Sequence, residues 1–77
     1  MNPFIIVKVG TKVLYRGSFG TGPKKEATII GIELCEREHE KYGEPVEEVC
    51  AIDLPRCCVD LSDGHWAYGY QVTDIIL

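Results

Sequence analysis

The chain lacks any apolar run long enough to cross a membrane. No stretch approaches the roughly 18 consecutive apolar residues that a spanning helix needs, and the apolar run near the N-terminus, residues 4–7, has only four. This segment also has no basic region before it and no small-residue cleavage site after it, so we expect no signal peptide. These absences predict a cytoplasmic protein with no membrane partner.

The four cysteines lack the spacing of a metal-binding motif. Structural zinc sites bring ligands in closely spaced pairs, and the only comparable pair here is Cys35 with His39. Cys57 and Cys58 are adjacent, and adjacent side chains of a strand point to opposite faces. A disulfide needs an oxidising compartment. We therefore expect buried reduced thiols and no metal or other cofactor, with zinc and a disulfide as open alternatives.

A catalytic motif is absent as well. His39 lies in an acidic stretch and His65 in a turn, and neither has a nucleophile near it in the sequence. Residues 17–25 contain the glycines and lysines of a phosphate-binding loop, but Pro23 interrupts the segment and no Ser or Thr follows the lysines. We predict that the protein is not an enzyme and that residues 17–25 form an exposed loop, either an ordinary hairpin loop or one that contacts an anion or a partner.

The sequence does have the composition of a folded domain and an uneven distribution of charge. Its 77 residues are 45% hydrophobic and 26% charged, which suits one small domain with a thin core. Residues 1–34 carry five basic residues against two acids, a charge of +3, whereas residues 35–77 carry three against ten, a charge of −7. Only a local basic surface is therefore open to nucleic acid.

Glycine and proline divide the chain into short segments rich in β-branched residues. A strand pattern runs over residues 12–16, 27–34, 46–54, 56–61 and 66–70, and a final segment, 73–77, is expected to close the sheet against its beginning. Gly31 predicts a bulge or a sharp bend, and Asp63-Gly64 predicts a tight hairpin turn. In the 46–54 segment, positions 46, 49, 50 and 52 are expected in the core. Residues 35–45 alternate in charge and predict a long acidic hairpin loop.

The order of these segments resembles an SH3-like barrel of the KOW and Tudor kind. Residues 9–17 resemble the opening strand, with its apolar-Gly-x-x-Val pattern, and residues 27–32 resemble the second strand, where the path turns sharply. Residues 60–66 are similar to the late hairpin, and residues 69–72 to the 3₁₀ turn before the last strand. We therefore expect an all-β fold, a small five-stranded barrel in which residues 1–77 form a single domain.

Candidate binding residues lie in the basic segment and in the aromatic strand. Trp66, Tyr68 and Tyr70 share one face by the period of two. We interpret that face as core, with an exposed stacking platform as the alternative. The full candidate set is Tyr15, Arg16, Phe19, Lys24, Lys25, Trp66, Tyr68 and Tyr70.

These residues favour a non-catalytic binding or adaptor module that holds a protein or peptide through residues 17–25 and the aromatic end of the barrel. The alternative is a nucleic-acid-associated SH3-like domain in which the basic residues contact phosphates and Phe19 or Trp66 stacks on a base. Self-association is a third hypothesis, so we expect a monomer or a weak homodimer.

Overall fold

A computed structural model describes residues 4–76, and most of this segment is strand. The strands, in chain order, are β1 (Ile6–Lys8), β2 (Lys12–Arg16), β3 (Lys24–Leu34), β4 (Glu44–Val46), β5 (Glu48–Cys50), β6 (Cys57–Leu61), β7 (Trp66–Tyr68) and β8 (Val72–Ile76). A single tight helical turn, Gly17–Gly20, follows β2, and 3₁₀ helices precede β6 (Ala51–Arg56) and β8 (Gly69–Gln71). The predicted all-β class and the 3₁₀ turn before the last strand are confirmed. Within the described residues, no helix has the length and apolar character needed to span a membrane.

The main sheet is antiparallel and has the strand order β7-β6-β3-β2-β8, with β4 added beside β3. β1 and β5 form a separate two-stranded sheet. Over residues 4–76 the edge strands β7 and β8 do not pair with each other, so the sheet is open and the expected closed barrel is not found. The chain leaves strand geometry after Tyr68, and β7 has only three residues.

The 11-residue strand β3 bends across the molecule and joins its two halves. Its first half pairs with β2, and its second half pairs with β6. The pairing register with β6 shifts between Ile29 and Gly31, which is the bulge predicted at Gly31. An added Cβ at Gly31 would lie 3.0 Å from a carboxylate oxygen of Asp60. A bulge bends the strand, so its two halves can pair with neighbouring strands that run in different directions.

One apolar core lies against the inner face of the sheet. Val7, Val13, Ile29, Val59 and Ala67 are each 0% exposed. On β6 and β7 the alternation of side chains places Val59 opposite Ala67 in the core, and the flanking residues Cys58 and Tyr68 pair on the outer face. Of the large aromatic side chains, Tyr15 lies in this core and is 2% exposed, whereas the outward positions of β7 keep Trp66 and Tyr68 outside it.

Residues 46–54 do not form the single strand that we predicted, and Arg56, the expected start of the next strand, lies in a 3₁₀ helix. Two short strands, β4 and β5, are followed by the 3₁₀ helix Ala51–Arg56, which contains Pro55. Ala51 and Leu54 are buried, and their spacing of three matches the 3₁₀ period. Ile52, which we expected in the core, is 58% exposed because it lies between these two buried positions.

The two 3₁₀ helices touch at Gly69. An added Cβ at this buried glycine would lie 1.6 Å from the carbonyl oxygen of Leu54. No side chain fits at this contact, so Gly69 is required for the close approach. The predicted strand over 66–70 is therefore wrong beyond Tyr68, where the chain enters the second 3₁₀ helix.

Candidate binding site

An aromatic surface lies on the outer face of the sheet beside β7. We call it the aromatic platform and define it as Phe19, Trp66, Tyr68 and Tyr70. The ring centroids of Trp66 and Tyr68 are 5.2 Å apart in an edge-to-face arrangement, and those of Tyr68 and Tyr70 are 6.0 Å apart and nearly parallel. Phe19 lies 6.2 Å from Tyr68. Rings from two separate parts of the chain, Phe19 and residues 66–70, thus form one continuous surface.

The alternation of β7 exposes the platform. Ala67 is 0% exposed, whereas Trp66 is 37% exposed and Tyr70, in the adjoining 3₁₀ helix, is 40% exposed. The interpretation of this face as core is therefore wrong. The small side chain of Ala67 fills the inward position, and the predicted alternative, an exposed aromatic face, is what the structure has.

A strained turn presents Phe19 to the platform. Ser18 has a φ of 51° and Phe19 a φ of 56°, a left-handed conformation that is rare for a bulky residue. The turn is closed by the Gly22 N–H, which donates to the carbonyl of Gly17 at 3.0 Å. The Tyr70 hydroxyl donates to the Phe19 carbonyl at 3.1 Å. Phe19 therefore projects outward, 67% exposed, and is tied to the 3₁₀ helix that carries Tyr70.

Gln71 holds the two sides of the site together. It is buried, and its side-chain nitrogen donates to the carbonyl of Arg16 at 2.8 Å while its side-chain oxygen accepts from the Tyr68 N–H at 2.9 Å. The end of β2 is thereby fixed to the end of β7. Sequence reasoning missed this residue, because one polar side chain between Tyr70 and Val72 carries no recognisable signal.

The loop between β3 and β4, residues 35–43, folds back over the platform. The His39 ring lies edge-on to Tyr70 at 4.8 Å and 5.9 Å from Tyr68. The ammonium nitrogen of Lys41 is 4.3 Å from the centroid of the Trp66 ring. The predicted acidic hairpin loop is thus present, and two of its basic side chains contact the platform. Neither residue was among the candidates, since the contact depends on the path of the loop.

A cleft of about 260 Å³ adjoins the platform and shares Phe19 and Trp66 with it. Tyr15, Lys25 and His65 also line this cleft. Clefts with aromatic walls and a few polar groups are the usual form of a ligand site. Platform and cleft together form one continuous candidate site.

Tyr15 is a core residue whose side chain also lines the cleft. Its side chain is 2% exposed, and its hydroxyl donates a hydrogen bond to the Asp63 carboxylate. Burial, followed by the contact with Asp63, raises the pKa of Tyr15 to about 12. The same hydrogen bond lowers the pKa of the Asp63 carboxyl below its usual value. Tyr15 thus acts chiefly in holding the turn after β6, and it is not part of the platform.

The three basic candidates differ in their surroundings. The Arg16 guanidinium donates to the carbonyl of Gly22 at 3.2 Å, and Lys24 forms an ion pair with Asp74 at 3.1 Å. Lys25 lines the cleft and forms no ion pair or side-chain hydrogen bond with the described residues. Of these three, Lys25 is therefore the one whose charged group has no partner among the described residues.

The thiols are mostly enclosed. Cys35, Cys57 and Cys58 are buried, as expected, and Cys50 is half-buried; all four are free. Burial is the largest cause that raises the pKa values of Cys57 and Cys58 to about 11. Over residues 4–76, no group of three or more His, Cys, Asp or Glu side chains is arranged to hold a metal.

No protein-family model, no curated protein and no solved structure matches the chain.

Proposed function

We propose that this chain is a non-catalytic binding module with an SH3-like fold, which holds a peptide segment of a protein partner on the aromatic platform and in the adjoining cleft. The observation that carries the proposal is the convergence of Phe19, Trp66, Tyr68 and Tyr70 on one exposed face. Exposed Trp and Tyr side chains of this kind dominate the binding energy of protein interfaces. A folded chain gains nothing in stability from leaving so much aromatic surface in water.

The strand order supports the SH3-like assignment. β2, β3, β6 and β7 follow one another as sheet neighbours, and β8 returns after a 3₁₀ helix to pair with β2. This is the order that the resemblance to SH3-like domains implies. The open edge between β7 and β8 is a departure from a closed barrel.

The charges near the platform favour a peptide over nucleic acid. The loop that contacts the platform carries Glu36, Glu38 and Glu40, and Arg16 and Lys24 are engaged within the protein. Nucleic-acid affinity comes largely from unpaired basic residues that follow the phosphate backbone. A phosphate chain on this face would meet carboxylates.

The side-chain chemistry also supports a non-catalytic role. The buried Cys57 and Cys58 thiols have raised pKa values, which disfavours the reactive thiolate. The His39 ring packs against two tyrosines. In the described part of the chain, neither histidine ring forms a hydrogen bond to a hydroxyl or thiol that it could activate.

Selection from a displayed library of random peptides tests the proposal. We expect the wild-type protein to enrich a defined peptide motif, and Trp66→Ala to weaken binding of the enriched peptides by roughly ten-fold or more. Ile52→Ala is the matched control, because it also removes an exposed apolar side chain but lies outside the platform. Failure to enrich any motif, or equal losses in the two variants, would contradict the proposal.

The nucleic-acid alternative is tested with single-stranded oligonucleotides at rising salt. Tight binding that weakens steeply with salt and disappears in the Lys24→Glu, Lys25→Glu double variant would establish that alternative in place of peptide binding. We expect no such binding.

A further inference from the structure

The loop between β3 and β4 occupies the aromatic platform with two basic side chains. We call residues 36–42 the cover segment. Within it, Lys41 places its ammonium nitrogen 4.3 Å from the centre of the Trp66 ring, and His39 packs edge-on against Tyr70 at 4.8 Å. A cation over an aromatic face is attracted by the negative charge of the π system. The platform therefore already accommodates one cationic side chain of the protein itself.

The contacts that hold the cover segment in place are weak. Its ion pair, Arg37 with Glu40 at 3.8 Å, lies within the segment and does not join it to the sheet. Its anchor at one end is the Cys35 thiol, which lies 3.3 Å from the Glu40 carbonyl oxygen. His39 has a φ of 64°, a left-handed conformation with an energetic cost for this residue. A segment held in this way can be displaced by a ligand that makes the same ring contacts.

The surroundings of the platform select for positive charge. Asp60 is the cross-strand partner of Trp66, and Glu33 is the cross-strand partner of Cys58, which in turn faces Tyr68. Directly opposite residues share one face of a sheet, so these two carboxylates lie on the same face as the rings. The cover segment carries Glu36, Glu38 and Glu40 against Arg37 and Lys41, which is a charge of −1 with His39 neutral. An acidic ligand would be repelled here, and a basic one attracted.

Building on the proposed function, we propose that the partner is a basic peptide segment and that one of its lysine or arginine side chains replaces Lys41 on the Trp66 ring. The cover segment is then an internal competitor that lowers the affinity of the free platform. Affinity is reduced by the fraction of molecules in which the platform is covered.

Two short synthetic peptides test the inference, one alternating lysine with glycine and the other alternating glutamate with glycine. Binding is followed by the fluorescence of Trp66, which is the only tryptophan. We expect the lysine peptide to change this signal saturably and the glutamate peptide to leave it unchanged. Lys41→Ala is expected to bind the lysine peptide about two- to five-fold more tightly, the effect of removing one exposed cation–π contact.

The matched control is Lys8→Ala, which changes the net charge equally but removes an exposed lysine of β1 that contacts no ring among the described residues. Equal effects of the two variants, or weaker binding by Lys41→Ala, would overturn the competitor role. Binding of neither peptide, or of both equally, would overturn the basic partner. The library selection with Trp66→Ala does not involve Lys41. Its result therefore tests peptide binding separately from the competitor role of Lys41.

Discussion

The Tyr15 hydroxyl donates a hydrogen bond to the carboxylate of Asp63, which lies 48 positions later in the chain. The bond joins β2 to the turn between β6 and β7, and its two ends differ in environment. Tyr15 is buried, whereas Asp63 is exposed. Removing the acceptor leaves a buried hydroxyl without a partner, whereas removing the donor leaves a carboxylate that water can solvate.

We therefore expect Asp63→Ala to lower the free energy of unfolding by about 2 kcal/mol and Tyr15→Phe by only about 1 kcal/mol. Denaturation in urea measures both. Asp63→Asn is the intermediate case, since its single amide oxygen can replace only one of the two carboxylate oxygens that accept from the Tyr15 hydroxyl and from the His65 N–H. A larger loss in Tyr15→Phe than in Asp63→Ala would contradict this reading of the bond.

The same pair predicts how stability changes in acid. The hydrogen bond from Tyr15 holds the pKa of Asp63 below its ordinary value of 3.8. A carboxyl with a lowered pKa in the folded state contributes stability above the unfolded pKa, and this contribution is lost as the pH falls through the folded pKa. We expect the difference in unfolding free energy between wild type and Tyr15→Phe to shrink below pH 3.8. Urea titrations of both proteins at a series of acid pH values measure it; a constant difference would argue against the coupling.

Alkaline pH should destabilise the fold for the opposite reason. Burial raises the pKa of Cys57 and Cys58 from 9.0 to about 11, and that of Tyr15 from 10.0 to about 12. Groups with raised pKa values contribute stability below the unfolded pKa, and the contribution is lost as the pH rises through the folded pKa. We expect the melting temperature to fall between pH 9.0 and about 12. Cys57→Ala should flatten the lower part of this fall, and an unchanged profile would show that the thiol does not contribute.

We expect the largest destabilisation by a single added methyl group at Gly69. A Cβ at this position would lie 1.6 Å from the Leu54 carbonyl oxygen, so Gly69→Ala must push the two 3₁₀ helices apart. We expect a loss of at least about 3 kcal/mol, measured by thermal or urea unfolding. Gly17→Ala is the control, because its Cβ would meet nothing within 4 Å and Gly17 has no positive φ. Similar losses in both variants would exclude close contact as the cause.

Local patterns in the sequence predicted much of the sheet. The bulge at Gly31, the strand Cys57–Leu61 and the turn at Gly64 all depend on residues close together in the chain. The 3₁₀ turn before β8 was expected only from the resemblance to SH3-like domains. The break at Ala51 was missed although Pro55 signalled it, because the β-branched residues before it suited a strand equally well. Closure of the sheet depends on whether distant edges meet, and no local pattern determines that.

The site was only partly predictable for a related reason. The period of two placed Trp66 on one side of β7 and Ala67 on the other, but periodicity does not say which side faces inward. That choice depends on the volume left by residues such as Val59 and Leu61. The contacts of His39 and Lys41 with the platform depend on the path of a long loop, and the roles of these residues were therefore not visible in the sequence.

Because side chains alternate between the two faces of β7, its inward and outward positions tolerate different substitutions. Position 67 is confined to small residues by the core, whereas position 66 faces outward and can change size and chemistry without disturbing it. Tyr68 also faces outward, but it is half-buried and packs against Phe19, Trp66 and Tyr70, so its replacement would loosen the platform. An engineer could therefore randomise position 66 on a constant framework.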